Sequence, residues 1–87
     1  MAYSIRIKAS AAKALRKLDH PTRLRLVARI DELAHSPHAG ALLKGDLSGL
    51  RRVRVGDYRI MYEVVEQQVT VLVVRVAHRR DASTDRS

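Results

Sequence analysis

Residues 50–62 read LRRVRVGDYRIMY, two short alternating runs joined by Gly56-Asp57. Side chains two apart on a strand share a face. Arg52, Arg54 and Arg59 therefore fall on one side, and Val53, Val55, Ile60 and Tyr62 on the other. Gly-Asp supplies the positive φ that a two-residue hairpin turn needs. A turn there sets Val55 opposite Tyr58, Arg54 opposite Arg59, Val53 opposite Ile60 and Arg52 opposite Met61. Like charges facing each other across neighbouring strands cost a few tenths to about 1 kcal/mol. A single arginine on such a strand reads as a solvated cation. Arginines converging on one hairpin face read instead as an anion site, because the guanidinium stays charged and its donor fork fits phosphate.

The other segments complete one α+β domain. Tyr3 to Ile7 alternates as a short strand. Ser10 is a candidate N-cap for a helix over Ala11 to Leu18, whose Ala11, Ala14, Leu15 and Leu18 recur at helical spacing. Asp19-His20-Pro21 breaks the chain and starts a second helix running to His35, with Leu26, Val27, Ile30, Leu33 and Ala34 as its apolar stripe. Residues 38–49 form a glycine-punctuated loop. The 50–62 hairpin follows, then a turn at Glu66-Gln67-Gln68 and an apolar strand from Val69 to Ala77. The fold expected is an N-terminal strand, a helical hairpin and a three-strand antiparallel meander, in one sheet with the helices on one face. A three-residue turn would pair Val65 with Val69 and Arg59 with Arg75. A two-residue turn would instead turn Arg75 toward the helices, at a burial cost. Residues 82–87 read as a flexible polar tail.

Composition narrows the partners. The 87 residues carry a formal net charge of +8, with no cysteine, tryptophan or phenylalanine. Such a basic domain calls for an anionic partner, nucleic acid first. The absence of cysteine removes disulfides and thiolate metal sites and suits the cytoplasm. No membrane span or signal peptide is evident, and no membrane partner is expected. The scarcity of aromatics argues against extended base stacking on single strands. His20, His35, His38 and His78 show no metal-ligand spacing, there is no phosphate-binding glycine loop, and no cofactor is called for. Glu63 stands alone on the arginine face, where a salt bridge to Arg52 or Arg75 would be its structural role. Cations on that face could bind phosphate, stabilise the extra charge of a phosphorane-like transition state, and position a 2′-hydroxyl for in-line attack. Arginine is a poor proton carrier at neutral pH. His78 is the titratable candidate near the cluster.

The segments LSGLRRVRVGDYRIMYEV and VLVVRVAHRRD, with the order strand, helical hairpin, three strands, resemble the RelE branch of the RelE/ParE toxin superfamily. The resemblance spans nearly the whole chain, and GDYRIMYE and VRVAHRR are its most specific parts. It implies the toxin of a type II toxin–antitoxin pair that enters the ribosomal A site and cuts mRNA without a metal. An acidic RelB-like antitoxin would silence it in a hetero-oligomer that meets operator DNA only as the complex. Carried over residue by residue, the catalytic set is Arg52, Arg54, Arg59 and Arg79, with His78 beside it. Lys44, Arg51, Arg75 and Arg80 complete the candidate set as contacts to mRNA or ribosomal RNA. The family's C-terminal tyrosine falls at position 83, which is Ser83 here. This departure leaves open a ParE-like inhibitor of DNA gyrase, or a catalytically attenuated relative.

Overall fold

The structure, a computed structural model, describes residues 2–45 and 49–80. Its elements are β1 (Ser4–Ile7), α1 (Ala9–Arg16), α2 (His20–Leu33), β2 (Ala41–Leu42), β3 (Leu50–Val55), β4 (Tyr58–Val65) and β5 (Thr70–His78). They build one five-stranded sheet in the order β1-β5-β4-β3-β2. β1 runs parallel to β5, and the other pairs are antiparallel. Strand β2 is an addition to the expected fold. Its two residues pair with Arg51 and Arg52, and so short a segment carries no alternation to read. The tail expected at 82–87 lies outside the described residues.

Both helices supply one side of the core. Ala11 and Leu15 of α1 and Leu26, Ile30 and Leu33 of α2 pack on Val53, Ile60, Tyr62, Val71, Val73 and Val76. The first helix starts two residues before the expected position and has no side-chain cap, so Ser10 lies inside it. The second starts at its expected break. The Asp19 side chain accepts from the Thr22 N–H, and Pro21 sits in the first turn, where a missing N–H costs nothing. That hydrogen bond favours the ionised carboxyl and lowers the Asp19 pKa.

The β3–β4 register is the one the sequence predicts, residue for residue, with Gly56 at φ 58° in the turn. The β4–β5 register is not. A 3-10 turn at Glu66–Gln68 is followed by Val69 in the left-handed region at φ 49°. Val65 therefore pairs with Thr70, and Arg59 lies opposite Ala77 rather than Arg75. Carried through unchanged, this one-residue shift would turn Arg75 into the core. The register slips again between Met61 and Tyr62, because Val74 is an extra residue on β5, and Arg75 returns to the outer face opposite Met61. The bulge thus places Val71 and Val73 inward before it and Val76 inward after it.

Tyr62 is fully buried, and its hydroxyl is satisfied twice. It donates to the Pro37 carbonyl at 2.7 Å and accepts from the Gly40 N–H at 2.9 Å. The fit leaves no room for a side chain at Gly40, where a Cβ would meet the Tyr62 Oη at 2.7 Å and the Arg52 carbonyl at 2.9 Å. At the far end of the sheet Glu66 accepts from the Tyr3 hydroxyl at 2.7 Å and lies 2.9 Å from His38 Nε2. The Tyr3 bond, then the His38 contact, lower the Glu66 pKa, and the same carboxylate raises that of Tyr3.

Candidate functional site

The face of the sheet away from the helices carries the candidate site, and pairing arranges it in rows. Arg54, Arg59 and Ala77 form one row across β3, β4 and β5. Arg52, Met61 and Arg75 form the next. Leu50, Glu63 and Leu72 form the third, extended by Arg6 on β1. Successive rows are two residues, hence roughly 7 Å, apart. Arg79 follows β5 at the hairpin end, where its N–H donates to the Asp57 carbonyl at 2.7 Å. Its Nε lies 3.9 Å from the Asp57 carboxylate, between side chains more than half exposed, so that pair is weak. Arg52, Arg54, Arg59 and Arg75 thus share the outer face, although Arg59 and Arg75 occupy different rows, and Arg79 lies beyond the end of β5 beside Asp57.

The electrostatics of this face are unbalanced. Arg54 and Arg59 oppose each other directly. Arg59 is half-buried, and its Nε is buried with no hydrogen-bond partner among the described residues. An unmet buried donor costs about 1–3 kcal/mol. Glu63 is the carboxylate positioned to relieve the charge, yet it makes no ion pair among the described residues. The expected salt bridge to Arg52 or Arg75 is not formed.

Four of the predicted residues lie elsewhere. His78 pairs with Tyr58 on the helix side and meets its ring edge-on, with centroids 5.2 Å apart. Its Nδ1 accepts from the Arg80 N–H at 3.2 Å. It therefore does not join the arginines. The signal was present in the sequence, since residues 75 and 77 of a strand share a face that 78 cannot share. His78 and Arg80 instead line a cavity of about 670 Å³ beneath α1, together with Lys13, Lys17, Leu18 and Tyr58. Arg51 points to the same side of β3 as Val53, where its Nη1 donates to the Gly40 carbonyl at 2.9 Å and to that of His38 at 3.3 Å. That is a structural tie to the loop rather than a ligand contact. Lys44 is exposed on the loop after β2, off the arginine rows. The basic cavity was not foreseen, because the lysines of α1 read as its wet side.

A five-stranded mixed sheet with two helices on one face is a fold this chain shares with solved structures of RelE toxins. The model of the ParE toxin of the type II toxin–antitoxin system parDE matches residues 5–83. Toxin RelG of Mycobacterium tuberculosis is 34% identical over 93% of this chain and 95% of its own length. Toxin RelE of the same organism is 35% identical over 93% of this chain and 84% of its own. Among solved structures, the RelBE toxin–antitoxin complex of M. tuberculosis aligns with a TM-score of 0.83 at 28% identity, covering 91% of this chain and 93% of the matched one. A free variant of the Escherichia coli toxin RelE aligns with a TM-score of 0.79 at 26% identity, covering 95% of this chain and 90% of its own. The chain belongs to the RelE/ParE family of type II toxins, in its RelE-like branch.

Proposed function

We propose that the chain is a ribosome-dependent mRNA endonuclease, held silent by an antitoxin, whose outer sheet face binds the RNA backbone. The observation that carries this reading is Arg54 set directly against Arg59 with Arg52 in the next row, none of the three in an ion pair among the described residues. A polyanion relieves that repulsion, and guanidinium forks bind phosphate oxygens in pairs. The same groups would stabilise the added charge of an in-line attack by a 2′-hydroxyl on its own phosphodiester. Arg52, Arg54 and Arg59 hold the phosphate in this reading, and Arg75 and Arg79 the flanking backbone. His78, facing α1, is withdrawn from the proton-transfer role.

A RelB-like antitoxin is the expected partner, since the matched M. tuberculosis structure is a toxin–antitoxin complex. It would be acidic and would fold on binding, and the charge of +8 suits it. The match to a ParE toxin model keeps gyrase inhibition as the second reading. One assay separates the two. The chain is added to a cell-free translation reaction and the reporter mRNA is mapped by primer extension. Discrete cuts within A-site codons are expected. Intact mRNA, with inhibited DNA supercoiling in a parallel gyrase reaction, would replace the first reading with the second.

A further inference from the structure

The third row of the outer face differs from the other two, because a carboxylate stands where they carry cations. Glu63 is exposed, and its direct neighbours across both adjacent strands are Leu50 and Leu72. Among the described residues, the charged groups on the strands flanking this row are basic: Arg52 from β3, Arg75 from β5 and Arg6 from β1. Despite those neighbours Glu63 forms no ion pair among the described residues. A phosphate would be repelled there, and two leucines offer it no donor. The same surroundings suit the other part of a nucleotide. The leucines present apolar area to the flat face of a base, and the carboxylate, an acceptor only, meets an edge that carries donors.

Resting on the nuclease reading above, we propose that Glu63 is a specificity-determining residue that reads one nucleobase beside the cut. It accepts hydrogen bonds from the base edge while the two arginine rows hold the backbone. Two rows separate Glu63 from the Arg54–Arg59 pair, roughly 13 Å. That distance removes it from proton transfer at a phosphate held there and places it against a neighbouring nucleotide. Guanine, adenine and cytosine each turn an amino group toward such an acceptor. Uracil offers one N–H between two carbonyl oxygens, which a carboxylate repels. The site therefore selects an amino-bearing base over uracil at one position.

The test uses the full chain in cell-free translation with a set of reporter mRNAs varied at each base around one cut site, and cut frequencies read by sequencing. Wild type is expected to disfavour uridine at one position by about tenfold, the scale of a good base contact. Glu63→Gln gains donors while keeping an acceptor, so the discrimination should fall toward unity, and Glu63→Asp should restore part of it. Arg54→Ala should lower every cut by a similar factor and leave the base profile unchanged. The same base profile in wild type and Glu63→Gln would overturn the inference, as would a uniform fall in all cuts by Glu63→Gln. Wild-type chain that cuts no mRNA overturns the nuclease reading itself, and the base-reading role with it.

Discussion

The two faces of this sheet are built from the same strands by opposite rules. On the helix side, valine, isoleucine and tyrosine interdigitate with α1 and α2, and the buried Tyr62 hydroxyl has both a donor and an acceptor. On the outer side, arginine faces arginine, a buried guanidinium nitrogen has no partner among the described residues, and Glu63 does not pair with its cationic neighbours. The inner face is built for stability, with its apolar side chains buried against the helices. The outer face breaks several within the same few residues. A sequence departs from local consistency where function asks for it, and the contrast supports the outer face as the candidate site beyond what charge alone does.

Substitutions that respond differently on the two faces sharpen that contrast. The largest effect on stability belongs to the inner face. Tyr62→Ala removes a fully buried ring and strands the Gly40 N–H, and should cost about 3–5 kcal/mol in urea unfolding. On the outer face, Arg54→Ala should lower mRNA cleavage by about 10²–10³-fold, as loss of one preorganised cationic donor does. Its unfolding free energy should stay level or rise by a few tenths of a kcal/mol as the repulsion with Arg59 is removed. A large loss of stability in Arg54→Ala would erase the distinction between the faces. Gly40→Ala drives a Cβ to 2.7 Å from the Tyr62 hydroxyl and should cost about 1–3 kcal/mol, read in the same unfolding experiment.

The smallest effect is one of pH. The Glu66 pKa is lowered in the fold by the Tyr3 hydroxyl and His38, so the folded state binds this proton less readily than the unfolded chain. Its contribution is present above the ordinary carboxylate range and is lost as pH falls through the lowered value. Below about pH 4 the wild-type unfolding midpoint should fall more steeply than that of Glu66→Gln. Parallel curves would show that the contacts to Tyr3 and His38 contribute nothing.

What the sequence made legible follows the strength of its alternation. The 50–62 hairpin could be registered residue by residue, because Gly56-Asp57 names its turn and both runs alternate. The β4–β5 connection could not, for two physical reasons. Val69 takes a positive φ that β-branched residues avoid, so no glycine or asparagine announced it. The bulge at Val74 sits in a run of apolar residues that reads the same in either register. The two irregularities together return Arg75 to the face predicted for it, although its partner changes from Arg59 to Met61. The short β2 and the cavity under α1 depend on tertiary contacts and left no periodic trace. The opposed facing of His78 was available from alternation, but proximity in sequence to Arg79 concealed it.

The claim beneath all of this is that crowded guanidinium groups on the outer face persist because RNA relieves them. The most direct measurement pairs two readings on Arg59→Ala: the unfolding midpoint, and the yield of A-site cuts on a reporter mRNA in cell-free translation. The account predicts a midpoint equal to or above that of wild type, with cutting reduced by at least two orders of magnitude. Undiminished cutting, or a loss of cutting matched by a collapse of the fold, would contradict it.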